Sequence, residues 1–156
     1  MDAIDRNNIF RVKHLLDHDV DPNTEENSTT TALMMAPYRS IGIIRLLLEY
    51  GADPNRMNED GNTVLLWASS ENHFNIVPML LEYGADPNYR LRRGDTVLMD
   101  AVRKGNIEIV NVMLGHGADP NTQNEDGETA LMVAETEEKI AIEKLLREAR
   151  ATSFTE

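Results

Sequence analysis

The sequence contains no cysteine among its 156 residues. Disulfide bonds, cysteine-ligated zinc and thiol nucleophiles are therefore excluded from the chemistry of this chain. Aromatic residues are also few, at 5% with a single tryptophan, although the hydrophobic fraction reaches 41%. A core built from this composition consists of thin layers of Leu, Ile, Val, Met and Ala side chains.

Long apolar segments are missing as well. No stretch approaches the ~18 apolar residues that a membrane-spanning helix needs. The first residues, MDAIDRNN, lack the basic and apolar regions of a secretion signal. We therefore expect no membrane partner and a cytoplasmic location, with a nuclear location or export as an effector left open.

Positive charge is scarce, because 15 Lys and Arg stand against 27 Asp and Glu and give a net charge of −12. A charge of this sign opposes binding to the phosphates of nucleic acid, so we expect no duplex nucleic acid as a partner. The distribution is uneven. Residues 89–104 carry five cations and two carboxylates, a local net charge of +3 that makes this segment a basic patch.

The sequence patterns of common enzymes are absent. Neither the G-x-x-x-x-G-K-[ST] phosphate loop nor the G-x-G-x-x-G dinucleotide fingerprint occurs. The serines do not lie in the G-x-S-x-G context that activates a nucleophile in hydrolases. We therefore predict that the chain is not an enzyme and uses no cofactor.

What the sequence does contain is an internal repeat. The segment DVDPN at 19–23 recurs as GADPN at 51–55, 84–88 and 117–121, with spacings of 32, 33 and 33 residues. In the same phase lie TALMMAP at 31–37, TVLLWAS at 63–69, TVLMDAV at 96–102 and TALMVAE at 129–135. Self-similarity at a fixed period of this length is the signature of repeat architectures, which stack one small unit on the next.

Each period reads as helix, turn, helix and loop. In the third period, Thr63 is a suitable N-cap for a first helix because its hydroxyl can accept from an unpaired backbone N–H. The apolar residues of IVPMLL at 76–81 form the stripe of a second helix. Gly84 is suited to end that helix in a left-handed conformation, and Pro87 prevents the helix from resuming.

A period near 33 residues, with T-x-L at the first helix and G-A-D-x-N after the second, resembles the ankyrin repeat. The resemblance covers about residues 2–148. It implies an all-α fold, an ankyrin-repeat solenoid of stacked helix-turn-helix pairs with projecting loops. We predict one domain over residues 1–150 and a frayed tail at 151–156. The domain has about five units, at 1–23, 24–55, 56–88, 89–121 and 122–150, of which the first is truncated and the last is a cap.

Two prolines predict local departures from this pattern. Pro37 pushes the preceding residue out of α geometry, so the first helix of the second unit should span about one turn. Pro78 removes a hydrogen-bond donor from a second helix, which predicts a kink or a delayed start. The short helix also makes the chain similar to the small ankyrin-repeat inhibitors of cyclin-dependent kinases, which is an alternative role.

Two histidines raise the question of a metal site. His14 and His18 are four residues apart on one predicted helix, a spacing that can share a metal ion. However, no third ligand lies nearby in the sequence. His18 also occupies the repeat position that Tyr50, Tyr83 and His116 fill in later units, so we interpret it as structural and predict no metal site.

By resemblance, ankyrin arrays are non-catalytic protein-binding modules that use a concave face of first helices and loop tips. Carried over by repeat position, this implies a partner-binding set. Its members are Tyr38, Arg39, Met57, Glu59, Asp60, Trp67, Arg90, Arg92, Arg93, Asp100, Arg103 and Lys104. Trp and Arg are frequent interface hot spots. We therefore expect a monomer that binds a partner protein carrying an acidic segment and one apolar anchor.

Two other classes of function stay open at this stage. Trp67 could stack on a base while the basic patch from Arg90 to Lys104 binds phosphates, which would recognise a nucleotide or another anionic small ligand. Alternatively, the repeats could be purely structural or self-associating. The residues do not distinguish an adaptor from an inhibitor or an effector.

Overall fold

The structure is a computed structural model that describes residues 2–26, 30–36 and 40–152. In chain order its helices are α1 (Asp2–Asp5), α2 (Ile9–Leu16), α3 (Ala32–Met35), α4 (Ile41–Glu49), α5 (Val64–Ser70), α6 (Val77–Glu82), α7 (Val97–Lys104), α8 (Ile107–Gly115), α9 (Ala130–Thr136) and α10 (Ile140–Thr152). A two-residue strand β1 (Glu25–Glu26) pairs antiparallel with β2 (Thr30–Thr31), and a short 3₁₀ turn spans Arg92–Gly94.

The chain divides into two compact units. The first unit is Met1–Val64 with Tyr83–Ala85, and in it α2 packs on α1 and α4 while α3 packs on α1 and α4. The second unit is Leu65–Glu82 with Asp86–Glu156, where α8 packs on α6, α7 and α10, and α9 packs on α7 and α10. Aliphatic side chains fill the core of each unit, and the second unit adds the buried methionines Met79, Met99 and Met113. A single domain over residues 1–150 stays a prediction.

The threonine of the repeated T-x-L pattern caps the first helix of its repeat. Thr96 Oγ1 accepts from the backbone N–H of Met99 at 3.2 Å, ahead of α7. Thr31 and Thr129 make the same bond at the starts of α3 and α9, each at 3.4 Å. Each bond satisfies one of the backbone donors that the first turn of a helix leaves unpaired.

Asparagine at the end of the DPN segment joins consecutive repeats. In the second unit, Asn88 Nδ2 donates to the carbonyl of Gly117 at 3.0 Å, and Asn88 Oδ1 accepts from the backbone N–H of Asp119 at 2.7 Å. In the first unit, Asn23 makes the same two bonds to the next GADPN segment, at 2.9 and 2.7 Å. This side chain therefore sets the spacing between one repeat and the next.

The aspartate of the same segment orients that asparagine. Asp86 Oδ1 accepts from the backbone N–H of Asn88 at 2.8 Å, which is an Asx turn. Between them Pro87 restricts φ, so the turn is partly formed by covalent geometry alone. The three letters D-P-N thus encode a preformed clamp for the following repeat.

Replacing Asn88 with alanine is expected to lower the free energy of unfolding by about 1–2 kcal/mol, because two exposed inter-repeat hydrogen bonds are lost. Urea denaturation followed by circular dichroism measures the loss. Asn121→Ala is the matched control, since within the described residues the Asn121 side chain makes no bond to another repeat, and its effect should stay within about 0.5 kcal/mol. Equal losses for the two variants would contradict the clamp.

Both proline predictions are confirmed. Helix α3 has only four residues, and Ala36 has a ψ of 121°, outside α geometry, ahead of residue 37. Helix α6 begins at Val77, seven residues before Gly84, whereas α8 begins at Ile107, ten residues before Gly117. The delayed start places Pro78 in the first turn, where its missing N–H has no intrahelical partner to lose.

Helix α10 extends beyond the predicted end of the repeats. It continues to Thr152 and so passes residue 150, where the domain is predicted to end; the domain boundary itself stays a prediction. The alanines near its end favour helix and supplied no stop signal to limit it. Residues 153–156 of the predicted tail lie outside the described residues. Across the described ranges, no helix has both the length and the apolar character needed to cross a bilayer.

Candidate functional site

Ten of the twelve predicted partner-binding residues lie in the described part of the chain, in two groups. Met57, Glu59 and Asp60 lie on a loop of the first unit, and Tyr38 and Arg39 lie outside the described residues. The second unit holds Trp67, Arg90, Arg92, Arg93, Asp100, Arg103 and Lys104. Their assignment as partner-binding residues stays a prediction, and the geometry below describes what each can do.

Trp67 is half-buried on α5. Its ring packs against the imidazole of His73, with ring centroids 4.5 Å apart and planes tilted by 39°. Ser70, about one turn further along α5, donates from Oγ to Asp100 Oδ2 on α7 at 2.6 Å. This bond shows that the faces of α5 and α7 carrying Trp67 and Asp100 are neighbours in the second unit.

The loop before α7 is held in a fixed conformation by its own backbone. Arg90 and Thr96 form an antiparallel bridge, and the backbone N–H of Leu91 donates to the carbonyl of Asp95 at 2.7 Å. The turn at the tip closes when Gly94 N–H donates to the Leu91 carbonyl at 3.0 Å. The tip residues Arg92 and Arg93 are both exposed.

The next repeat also holds this loop. The Arg90 guanidinium donates to the carbonyl of Gln123 at 2.7 Å, and the backbone N–H of Glu125 donates to the carbonyl of Arg93 at 3.0 Å. Gly94 is required here for two reasons. Its φ is +71°, and a Cβ would lie 2.9 Å from Arg90 Nη2 and 3.3 Å from Glu125 N.

Arg93 occupies the left-handed region, with φ of 66° and ψ of 15°. This conformation costs a non-glycine residue about 1–2 kcal/mol. The hydrogen bond from Glu125 to the Arg93 carbonyl helps to hold it. An arginine retained at a strained, exposed loop tip is the kind of feature that collects at functional sites.

Asp95 and Arg103 form an ion pair at the base of this loop. Arg103 Nη1 and Nη2 reach the two carboxylate oxygens of Asp95 at 2.5 and 3.2 Å, a bidentate pair. Asn124 Nδ2 donates to Asp95 Oδ1 at 2.8 Å, and Glu128 Oε2 lies 3.7 Å from Arg103 Nη2. The network therefore links the loop, the end of α7 and the following loop.

The pKa of Asp95 reflects these partners. Burial by itself would raise the pKa of the carboxyl, but the hydrogen bonds from Arg103 and Asn124, with the charges of Arg103 and Arg93, outweigh burial and lower the pKa below its usual range. The hydrogen bond to Asp95 raises the pKa of Arg103 above its ordinary value. Both groups are ionised at neutral pH.

The basic patch of the sequence is thus divided by the fold. Arg103 is neutralised by Asp95, and Arg90 is bound to a backbone carbonyl. Arg92, Arg93 and Lys104 are exposed and form no ion pair within the described residues. The sequence-based interpretation missed Asn124 and Glu128 as partners, although Glu128 occupies the repeat position of Asp95 and could have been found by that equivalence.

In the first unit, the loop carrying Met57, Glu59 and Asp60 is built around Asn58. Asn58 Oδ1 accepts from the backbone N–H groups of Asp60 and Asn62 at 3.1 and 2.9 Å. Met57 is 51% exposed, and the carboxylates of Glu59 and Asp60 face solvent. This loop tip is therefore ordered, partly apolar and acidic.

The histidine pair has a structural role. The rings of His14 and His18 are 4.2 Å apart, and Nδ1–H of His18 donates to the His14 carbonyl at 2.7 Å. His116, at the same repeat position as His18, makes the equivalent bond to the Val112 carbonyl at 2.9 Å. Both rings satisfy a carbonyl at a helix end. Among the described residues, no group of three His, Asp or Glu side chains is placed to hold a metal ion.

Comparison with known proteins gives matches along most of the chain. A family model described as ankyrin repeats (3 copies) matches residues 1–91, and a second, described as ankyrin repeats (many copies), matches residues 88–134. An ankyrin repeat protein of fowlpox virus is 38% identical over 61 residues, which are 38% of this chain and 8% of the viral protein. The chain therefore matches only a small part of that relative.

These matches agree with the helix pairs, threonine caps and asparagine clamps of the structure. The predicted fold class, an all-α ankyrin-repeat solenoid, is confirmed. Ankyrin repeats are generally modules for protein–protein interaction and are typically non-catalytic. The chain belongs to the ankyrin repeat family.

Proposed function

We propose that the chain binds a partner protein through a cationic surface of the second unit, formed by Trp67, Arg92, Arg93 and Lys104. The observation that carries this proposal is the division of the basic patch. Three cations are exposed and form no ion pair within the described residues, while Arg90 and Arg103 hold the loop in place. The surface therefore carries positive charge that no ion pair within the described residues compensates.

A chain of contacts supports the grouping of these residues. Trp67 precedes Ser70 by one turn on α5, Ser70 binds Asp100 on α7, and α7 ends at Lys104. Arg103, next to Lys104, binds Asp95 at the base of the loop that presents Arg92 and Arg93. A half-buried aromatic ring and three cations thus belong to directly connected elements.

The chemistry of this surface suits an acidic segment with one apolar anchor. The cations would steer the encounter and set the register, since exposed charges mainly affect association rate and specificity. The indole would supply most of the binding energy, because interface energy concentrates in a few large side chains. The loop is tied by hydrogen bonds before binding, so little of its conformational entropy is lost in the complex.

The test is affinity capture from a cell lysate with three baits. Wild type is compared with a variant carrying Trp67→Ala, Arg92→Glu and Arg93→Asn. Asparagine is used at 93 because it tolerates the left-handed conformation. Arg11→Glu with Lys144→Gln is the control, since it removes the same three units of positive charge at exposed helix positions. All three must share one melting temperature.

We expect a partner that wild type and the control retain and that the triple variant binds at least tenfold more weakly, a loss of about 1.4 kcal/mol. Retention of that partner by the triple variant would overturn the proposal and direct attention to Glu59 and Asp60. A change in Trp67 fluorescence on adding a nucleoside triphosphate would favour the anionic-ligand alternative, and no change at millimolar concentration would remove it. The kinase-inhibitor role stays a hypothesis resting on the short α3.

A further inference from the structure

Phe10 on α2 is 86% exposed. The repeat position that it occupies holds Gly42, Asn75, Glu108 and Ala141 in the other repeats, which are small or polar residues. The repeat architecture therefore has no need of an aromatic side chain at this position. A large ring left in water at an otherwise polar position points to a contact outside the chain.

The surface beside Phe10 is a groove between α2 and α4 of the first unit. Gly42 forms its floor, since a Cβ there would lie only 3.0 Å from Ile9 Cδ1. Ile9 flanks the floor and is 39% exposed, while Leu46 lies beneath. The apolar end of the groove is thus open to an apolar side chain.

The other end of the groove carries charge. Lys13 Nζ lies 2.9 Å from Asp17 Oδ2 and 3.3 Å from the Tyr50 hydroxyl, so its charge is already compensated. Arg45 occupies the repeat position of Lys13 on α4, is exposed, and forms no ion pair within the described residues. The guanidinium of Arg45 therefore stands about one turn from the apolar floor, and Glu49, one turn further along α4, also lines the groove.

We propose that this groove, defined by Ile9, Phe10, Gly42 and Arg45, docks a protein segment with an apolar side chain and a carboxylate about one helical turn apart. The apolar group covers Phe10 and Gly42, and the carboxylate pairs with Arg45. A second copy of the chain is a poor occupant, because each copy carries a net charge of −12 and the copies repel. The proposal does not depend on the cationic surface of the second unit.

The test uses three amidated peptides, N-acetyl-Leu-Ala-Ala-Glu-amide and its Gln and Lys counterparts at the last position. Methyl resonances of Ile9 and Leu46, which line the groove, are followed by ¹H–¹³C correlation spectra during titration to millimolar peptide. We expect the Glu peptide to shift these methyls with at least threefold higher affinity than the Lys peptide. Phe10→Asn and Arg45→Gln should each remove this preference or the binding itself. Phe74→Asn, which removes a 66% exposed phenylalanine elsewhere, should change neither.

Equal shifts from the Glu and Lys peptides, or unchanged binding by Phe10→Asn, would overturn the proposal. Sedimentation velocity tests whether a second copy of the chain occupies the groove. A dimer that Phe10→Asn dissociates would show that a second copy fills the groove and would also overturn the proposed occupant. A monomer whose methyls respond selectively to the Glu peptide supports it.

Discussion

Replacing Met99 with alanine is expected to lower the free energy of unfolding by about 2–4 kcal/mol, the range found for large-to-small changes in tight cores. Met99 lies on α7 and is 1% exposed. Alanine would remove its apolar contacts and leave a cavity, because close-packed interiors relax only in part. Against a total stability of about 5–15 kcal/mol for a typical domain, this is a large fraction.

The chain provides its own matched control for this experiment. Met132 lies on α9 at the same repeat position as Met99, three residues after a capping threonine, yet it is 48% exposed. Met132→Ala deletes the same atoms and should cost less than about 1 kcal/mol, because much of that side chain is already in water. Urea denaturation of both variants gives the comparison. Similar losses for the two variants would contradict the tight packing of the Met99 side chain.

Replacing Asp95 with asparagine is expected to lower the free energy of unfolding by about 1–3 kcal/mol at pH 7, the range for hydrogen bonds to charged groups. Asparagine keeps the shape of the side chain but loses the charge that Arg103 meets in a bidentate pair. Arg103 would then remain partly buried, with the Glu128 carboxylate 3.7 Å away as its ion-pair partner. Thermal and urea unfolding at fixed ionic strength measure the loss.

The same pair predicts how stability depends on pH. The pKa of Asp95 is lower in the folded protein than in the unfolded chain, so ionisation favours the folded state. This contribution is fully present above the unfolded value, about 3.9, and is lost as pH falls through the lower folded value. The stability difference between wild type and Asp95→Asn should therefore shrink as pH falls from 5 towards 3.

Asp126→Asn is the control for the acid experiment. Asp126 is an exposed carboxylate on the following loop and forms no ion pair within the described residues. Its variant should follow wild type within about 0.5 kcal/mol at every pH. A difference for Asp95→Asn that stays constant from pH 7 to pH 3 would contradict the assigned ion pair.

Most of the fold could be predicted from the repeat period in the sequence. Threonine caps, DPN segments and two prolines are local signals whose effects act within a few residues, so the helices and their exceptions at α3 and α6 could be predicted. The end of α10 could not, because residues 150–156 contain no glycine or proline to mark a stop.

The candidate site was predictable in part. Repeat position identified Trp67 and the loop tip with Arg92 and Arg93 as candidates. It did not separate the exposed cations from Arg103, because that separation depends on the loop conformation that brings Asp95 to Arg103. Phe10 is the opposite case. Its position across the five repeats marks it from the sequence alone, because the other four residues there are small or polar.

Amide hydrogen exchange of the chain, alone and bound to its captured partner, tests the central claim most directly. We predict slowed exchange at residues 64–71 and 91–104, on the elements that present Trp67, Arg92, Arg93 and Lys104. Exchange in α2 and α4 should be unchanged by the same partner. Slowed exchange confined to α2 and α4, with the loop before α7 unaffected, would contradict the claim.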